Sequence, residues 1–186
     1  MKDLAFYDTT PFDELAWPEL NKQIGLKSPA LEIFTDFEKT QPMVINSSMS
    51  AIDAEKLMQT EHVRLKFVVN SNNHLLGVVS LEDLNSREIL KRVSKGENRE
   101  ELSVTDFMRP RNKLKSFDYS DLAHASIKDV IGSLKNSGYR HCLVVDHKHH
   151  KIRGIISASD IARSLQLQIN IKSDSSFVGI FKAIQH

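Results

Sequence analysis

The feature that most constrains this chain is a seven-residue pattern that occurs twice. Residues 77–83 read Gly-Val-Val-Ser-Leu-Glu-Asp, and residues 154–160 read Gly-Ile-Ile-Ser-Ala-Ser-Asp. In both copies the two β-branched apolar residues are typical of the end of a buried strand. The serine that follows is a good helix N-cap, and an apolar helical pattern comes after it. The pattern therefore predicts two places where a strand runs directly into a helix.

This predicted junction has a defined chemistry. It presents a hydroxyl (Ser80 or Ser157) and a carboxylate (Asp83 or Asp160) beside the N–H groups of a helix start. Those N–H groups and the helix dipole favour a phosphate. The carboxylate can accept hydrogen bonds from ribose hydroxyls, but it repels a phosphate that comes too close. Together these groups favour a nucleotide that lies across the junction.

The elements around the two junctions also repeat. Each half contains, in order, a strand, a helix, two strands joined by a turn-rich connection, and the helix after the serine. Arg64 corresponds to Arg140 and Gly77 to Gly154 at nearly constant spacing, and the small drift falls in a hairpin, where insertions are tolerated. The repeat is too long for a solenoid unit. We therefore predict an α+β fold of two β-α-β-β-α modules related by a pseudo-twofold axis, with their strand faces in contact.

The predicted boundaries follow from the repeat and from changes in composition. Residues 1–30 are predicted to form an N-terminal helical arm that packs on the main body, and residues 171–186 a C-terminal helical tail. Between them lie a first module (31–93), a charged linker (94–103) and a second module (104–170). The tail has an apolar stripe that predicts packing either within the chain or against a second copy. This stripe consists of Phe177, Ile180, Phe181 and Ile184.

Composition and charge exclude several classes of protein. Among 186 residues, 25 Lys plus Arg nearly balance 24 Asp plus Glu, which argues against a bulk nucleic-acid or membrane surface. The single cysteine, Cys142, excludes an internal disulfide and fits a reducing compartment. No apolar run reaches about 20 residues, the length of a membrane helix, and no signal peptide is recognisable. We expect a cytoplasmic protein that has neither nucleic acid nor membrane as a partner.

The chain resembles the CBS-domain family, arranged as a tandem pair (a Bateman module). The resemblance rests on the two Gly-apolar-apolar-Ser-x-x-Asp motifs and covers about residues 31–170. Arg140 and His141 resemble the basic residue or histidine that precedes a strand in this family. The segment Phe107-Met108-Arg109 resembles the family's lead-in to the module. The first copy has Phe34-Thr35 at the corresponding lead-in.

The resemblance implies an adenine-containing ligand between the modules, most often AMP, ADP or ATP, and in some members S-adenosylmethionine or an NAD-type ligand. The ligand-binding residues that it implies are Ser157, Ser159, Asp160, Arg140, His141, Met108, Arg109, Ser80, Asp83, Arg64 and Thr35. Asp160 would accept from ribose hydroxyls, while Ser157 and Ser159 would donate to phosphate. Glu82 stands where the second copy has Ser159, and its charge would repel a phosphate. We therefore expect one good site in the second copy and one poor or empty site in the first.

Simpler interpretations stand beside these. Ser80 and Ser157 are also typical of helix caps, Arg140 of a surface ion pair, and His141 of a structural histidine. The tract His147-Lys148-His149-His150 is interpreted as a solvated turn rather than a metal site, because the lysine repels cations and a full ligand set is not evident. In its apolar strand, the cysteine is predicted to be packed rather than reactive.

No nucleophile, Gly-rich phosphate loop or metal-ligand pair provides a carrier for catalysis, so we do not expect an enzyme. We expect a regulatory protein that senses adenine nucleotides, requires no cofactor and modulates an unknown effector protein. The resemblance also implies a homodimer, formed through the predicted helices at 81–90 and 161–169. The rival hypotheses are a scaffold with degenerate sites and an enzyme with an unrecognised site.

Overall fold

The computed structural model describes residues 5–6, 10, 24–167 and 176–185, so most of the predicted N-terminal arm and the segment that contains Ile169 lie outside the described residues. The strands are β1 (Phe34–Asp36), β2 (Val44–Asn46), β3 (Leu65–Val69), β4 (Leu75–Ser80), β5 (Arg109–Pro110), β6 (Ser116–Asp118), β7 (His141–Asp146) and β8 (Lys151–Ser157). The α-helices are α1 (Ala51–Thr60), α2 (Ser86–Val93), α3 (Tyr119–His124), α4 (Ile127–Leu134), α5 (Ala158–Ser164) and α6 (Phe177–Ala183). Within the described ranges, none of these helices has the length and apolar character needed to span a bilayer.

Two four-stranded sheets repeat one topology. One sheet has the order β1-β8-β7-β6, and the other has the matching order β5-β4-β3-β2. In each sheet the outer pair, β6/β7 or β2/β3, is parallel and the remaining pairs are antiparallel. The central hairpins even share a register shift, at Val68/Val69 and at Val144/Val145. The predicted α+β fold of two repeated modules is therefore confirmed.

Each module receives its lead-in strand from outside its own contiguous half of the sequence. β1 pairs with β8 of the second module, with Thr35 opposite Ile155, whereas β5 pairs with β4 of the first module. Both pairings depend on a glycine, because a Cβ on Gly154 would lie 2.1 Å from the Thr35 carbonyl oxygen and one on Gly77 would lie 2.4 Å from the Arg109 carbonyl oxygen. The strand that carries Arg109 therefore lies beside the first junction, not the second.

The core has three parts. One cluster lies between sheet and helices in each module, and a third lies where the two sheets face each other. The buried members of this third cluster are Phe67, Val78, Leu143 and Ile155. The predicted contact between strand faces is thus present, and it brings the ends of β4 and β8 to the same side of the molecule, where both line one cavity.

The helix starts differ from the sequence prediction in two places. Helix α2 begins at Ser86, where Asn85 accepts the Arg87 and Glu88 N–H groups, so Ser80 is not its cap as predicted. In the second half, the single helix predicted before the paired strands is two helices, because Ser126 forms a capping box with Asp129 and starts α4 anew. In both places a second good cap, Asn85 or Ser126, starts a helix that the sequence pattern alone did not locate.

The C-terminal stripe packs within the chain. Phe177 and Ile180 of α6 are fully buried in the core of the second module, and Phe181 and Ile184 pack partly against it. The Phe177 N–H also donates to the Tyr139 carbonyl at 3.0 Å, just before β7. Of the two predicted roles for this stripe, the structure shows intramolecular packing.

Candidate ligand-binding cleft

The two strand-to-helix junctions open onto one polar space between the modules, here named the inter-module cleft. It comprises a cavity of about 270 Å³ and an adjoining cavity of about 260 Å³. The first is lined by Arg64, Ser80, Glu82, Arg140, His141, Ser157, Ser159 and Arg163. The second is lined by Leu65, Val78, Ser80, Glu82, Asp83, Arg109, Arg140 and His141. Residues that are far apart in sequence thus share one cleft to which both modules contribute.

Most of the predicted site residues line this cleft, and three do not. Thr35 lies in β1, where it pairs with Ile155 of β8. Met108 packs against the core of the first module. Asp160 lies in the first turn of α5 and bonds to Arg163, which does line the cleft. Among the described residues the predicted set therefore divides into a group of lining residues and three residues outside the lining, of which Asp160 contacts the lining residue Arg163.

At the second junction, α5 starts immediately after β8. Ser157 is buried, and its side chain makes no capping hydrogen bond. Instead, its hydroxyl shares a hydrogen bond of 2.7 Å with the Ser159 hydroxyl, and both face the cleft. The Asp160 carboxylate accepts from the Arg163 guanidinium at 2.5 Å at the surface. This junction presents two hydroxyls and a guanidinium to a ligand.

At the first junction, the carboxylate is used by the chain itself. The Ser80 hydroxyl donates to Oδ2 of Asp83 at 2.6 Å, and the Ser80 N–H donates to the same oxygen at 3.0 Å. The Asp83 N–H donates back to the Ser80 hydroxyl at 3.3 Å. This closed turn occupies the segment before α2. Asp83 is therefore less available to a ribose than its sequence position suggests.

Glu82 forms a bridge between two arginines of the cleft. Its Oε1 accepts from Arg64 at 2.5 Å, and its Oε2 accepts from Arg140 at 2.5 Å. Arg140 comes just before β7, so this second contact joins the first module to the second. The sequence predicted that Glu82 would repel a phosphate, but it did not predict which cations the carboxylate would neutralise.

His141 is uncharged at neutral pH. Burial, together with the smaller effects of the positive charges of Arg109 and Arg140, lowers its pKa to about 4, while Asp83 acts in the opposite direction. A neutral imidazole offers one N–H donor and one acceptor nitrogen. The cationic charge of the cleft therefore comes from arginines, including Arg109, whose guanidinium lies 5.2 Å from the Tyr139 ring centroid.

The other residues considered in the sequence lie in ordinary structural settings. His149 pairs with Asp146 at 2.7 Å, and His147 pairs with Asp118. Across the part of the chain that the structure describes, no group of three His, Cys, Asp or Glu side chains converges on a metal position. Cys142 is buried as predicted, and burial raises the pKa of its thiol to about 12, which makes it unreactive.

Sequence reasoning missed Arg163 as a lining residue. Its signal was its position three residues after Asp160 on a predicted helix, a spacing at which opposite charges meet. The apolar wall formed by Leu65 and Val78 was also missed, because apolar strand residues are usually core. Leu65 and Val78 become recognisable as site residues only when the two sheets are placed face to face.

Comparison with known families agrees with this architecture. The model of the CBS domain matches residues 34–88 and 104–167, one match for each module and more than half of the chain. The chain belongs to the CBS-domain family. Its two matches make it a CBS pair, and CBS-domain proteins are typically regulatory.

Several relatives and solved structures are similar to this CBS pair. An uncharacterized 17.7 kDa protein of Acidianus ambivalens is 25% identical over 127 residues, which is 68% of either chain. An uncharacterized conserved protein of Pyrococcus horikoshii has a TM-score of 0.56 at 19% identity, and covers 79% of this chain and 98% of its own. CBSX2 in complex with AMP has a TM-score of 0.52 at 25% identity, covering 75% and 96%. A conserved CBS-domain protein of Thermoplasma acidophilum, of unknown function, has a TM-score of 0.51 at 22% identity, covering 82% and 77%.

Proposed function

We propose that this CBS pair binds an adenosine phosphate in the inter-module cleft and so regulates another protein. The observation that carries the proposal is the convergence of three arginines and three serines from both modules on one cavity. These residues are Arg64, Arg140, Arg163, Ser80, Ser157 and Ser159. Arginine is suited to phosphate because its planar guanidinium donates two parallel hydrogen bonds. The resemblance of CBSX2, which is seen with AMP, supports the same ligand class.

The shape of the cleft indicates how such a ligand would lie. Ligand pockets usually have volumes of about 300–1,000 Å³, and each of the two cavities is slightly smaller. A nucleotide would therefore extend through both. The phosphate would face the arginines, and the base would face the apolar wall that Leu65 and Val78 contribute.

The charge of the cleft separates the candidate ligands. AMP, ADP, ATP and NAD-type ligands all carry phosphates that arginines attract. S-adenosylmethionine carries a sulfonium cation instead, which the same arginines would repel. We therefore expect the cleft to bind the phosphate-bearing adenosine ligands more tightly than S-adenosylmethionine.

The regulatory step follows from the position of the cleft between two modules. A ligand that contacts Arg64 and Arg140 at once favours the arrangement of the modules in which both can reach it. The changed arrangement would be detected by a partner protein or by a second copy of the chain in a homodimer. We place this regulation in the cytoplasm.

Isothermal titration calorimetry with AMP, ADP, ATP and S-adenosylmethionine tests the proposal. Arg140→Gln should lower the affinity for the nucleotides. Arg99 is exposed and lies outside the cleft, so Arg99→Gln should leave these affinities unchanged. If none of these ligands binds the wild type, the scaffold hypothesis is supported instead. Nucleotide turnover by the purified protein that Asp160→Ala abolishes would support the enzyme hypothesis.

A further inference from the structure

The Glu82 carboxylate occupies the space between two arginines that a ligand phosphate would need. Its two oxygens accept from Arg64 and Arg140 at 2.5 Å each, so one anionic group joins two guanidinium groups. Phosphate oxygens make the same kind of charge-assisted contact. We propose that Glu82 is an internal competitor for the phosphate of the ligand, which must displace it to bind. The inference rests on the proposed function of the cleft and assigns Glu82 the role of limiting the negative charge that the cleft accepts.

The exposure of this bridge makes displacement feasible. The side chains of Arg64, Glu82 and Arg140 are 55%, 42% and 37% exposed, and ion pairs at that exposure contribute little to stability. The bidentate pair of Arg153 with Asp36 is a useful contrast. There the side chains are only 15% and 9% exposed, as expected for a pair that fixes an exchanged strand in place.

The second copy of the repeat lacks this competitor. The residue equivalent to Glu82 is Ser159, whose hydroxyl bonds to Ser157 and neutralises no arginine. A displaced Glu82 stays tethered next to the cleft, so it still repels the bound anion. This repulsion grows with each added phosphate, which favours AMP over ATP. Displacement also breaks the contact from Glu82 to Arg140, which joins the modules, at the moment when the ligand connects Arg64 to Arg140.

The variant Glu82→Gln isolates this effect, because glutamine keeps the size of the side chain and one acceptor oxygen while it removes the charge. Calorimetry should use AMP, ATP and inorganic pyrophosphate as probes. Loss of one repelling charge should increase the affinity for ATP about tenfold and the affinity for AMP about threefold. Combining Glu82→Gln with Arg140→Gln should remove most of this gain.

Glu97→Gln is the matched control. Glu97 pairs with Arg92 at 3.0 Å with side chains 39% and 37% exposed, nearly the values of Glu82 and Arg140, and neither residue lines the cleft. It should leave all three affinities unchanged. The same change in the thermal midpoint of both variants would show that each has lost an equivalent surface pair.

The outcomes separate this inference from the proposed function. Tighter ATP and pyrophosphate binding by Glu82→Gln, with no effect of Glu97→Gln, supports the competitor role. If Glu82→Gln binds pyrophosphate more tightly than the wild type does, but the adenosine moiety adds no affinity, the competitor role holds and the adenine-nucleotide function fails. If nucleotides bind the wild type and Glu82→Gln binds them equally well or more weakly, the competitor role is wrong and the function stands. If no probe binds either protein, both are wrong.

Discussion

The two copies of one motif have become different structures. At the second junction α5 begins directly after the strand, and two serine hydroxyls face the cleft. At the first junction Asp83 closes a turn with Ser80, α2 begins only at Ser86, and Glu82 bridges two arginines. The strand registers and the glycines are nevertheless equivalent. The repeat thus preserves the framework of the site, while three or four side chains determine what each copy presents to a ligand.

This difference also means that the two copies contribute unequally to the cleft that they share. Glu82 reaches out of its own module to Arg140 of the other. The corresponding residue in the second copy, Ser159, carries no charge and therefore forms no ion pair. The asymmetry therefore lies in the side-chain electrostatics as well as in the later start of the helix at the first junction. The experiments below test either the shared framework or the unequal side chains.

The largest expected effect is on the shared framework. Gly154→Ala should destabilise the fold by about 3 kcal/mol, because its Cβ would lie 2.1 Å from the Thr35 carbonyl oxygen of the exchanged strand. Gly132→Ala is the control, since a Cβ on that helical glycine meets nothing within 4 Å. It should stabilise the protein by about 0.5–1 kcal/mol. Equal urea midpoints for the two variants would contradict the strand exchange.

The next effect is on ligand affinity. Arg140→Gln should lower the affinity for AMP about tenfold or more, because it removes a charge-assisted hydrogen bond to the phosphate. Arg64→Gln should have a smaller effect, since its side chain is 55% exposed against 37% for Arg140. Calorimetry with AMP measures both. A larger loss for Arg64→Gln would reverse the proposed order of the two arginines.

A smaller effect distinguishes the caps of the two junctions. Asn85→Ala should lower the free energy of unfolding by about 1 kcal/mol, because Asn85 accepts two N–H groups at the start of α2. Ser80→Ala should not remove the cap of α2. Urea denaturation of both variants makes the comparison. If the helix instead began at Ser80, Ser80→Ala would lower the free energy of unfolding more than Asn85→Ala does.

The last expected effect, a pH dependence of stability, is absent near neutral pH and develops only on acidification. The native pKa of His141 is about 4 against an ordinary value of 6.5, so the unfolded chain binds an extra proton in this window. Stability should therefore fall as the pH is lowered from about 6.5 towards 4. In His141→Gln, the thermal midpoint should fall less steeply over that range. Parallel curves for the two proteins would show that His141 does not contribute.

Much of the framework was predictable from the sequence, and the reasons are local. Strands β3, β4, β7 and β8 carry β-branched runs bounded by turn residues, so their positions follow from composition alone. The exchange of β1 and β5 was not predictable, because a three-residue or two-residue strand does not encode its partner. The start of α2 was misplaced because Ser80 and Asn85 are both good caps.

The lining of the cleft was predictable only in part. The motif itself indicated Ser80 and Ser157, and the family resemblance added Ser159, Arg64 and Arg140. The bridge formed by Glu82 was not predictable, because it depends on how closely two modules approach across a sheet interface. The sequence pattern of one module gives no information about the distance between the two modules.

We propose that Asp160, which pairs with Arg163 beside the cleft, exchanges this partner for the ribose hydroxyls of the bound ligand. Titrations with AMP and with 2′,3′-dideoxy-AMP test it most directly, using the wild type, Asp160→Ala and Asp83→Ala. Wild type and Asp83→Ala should both bind AMP more tightly than the dideoxy ligand, because Asp83 is already bonded to Ser80. Asp160→Ala should bind the two ligands equally and should lose more affinity for AMP than Asp83→Ala does. Loss of the discrimination in Asp83→Ala but not in Asp160→Ala would contradict the account.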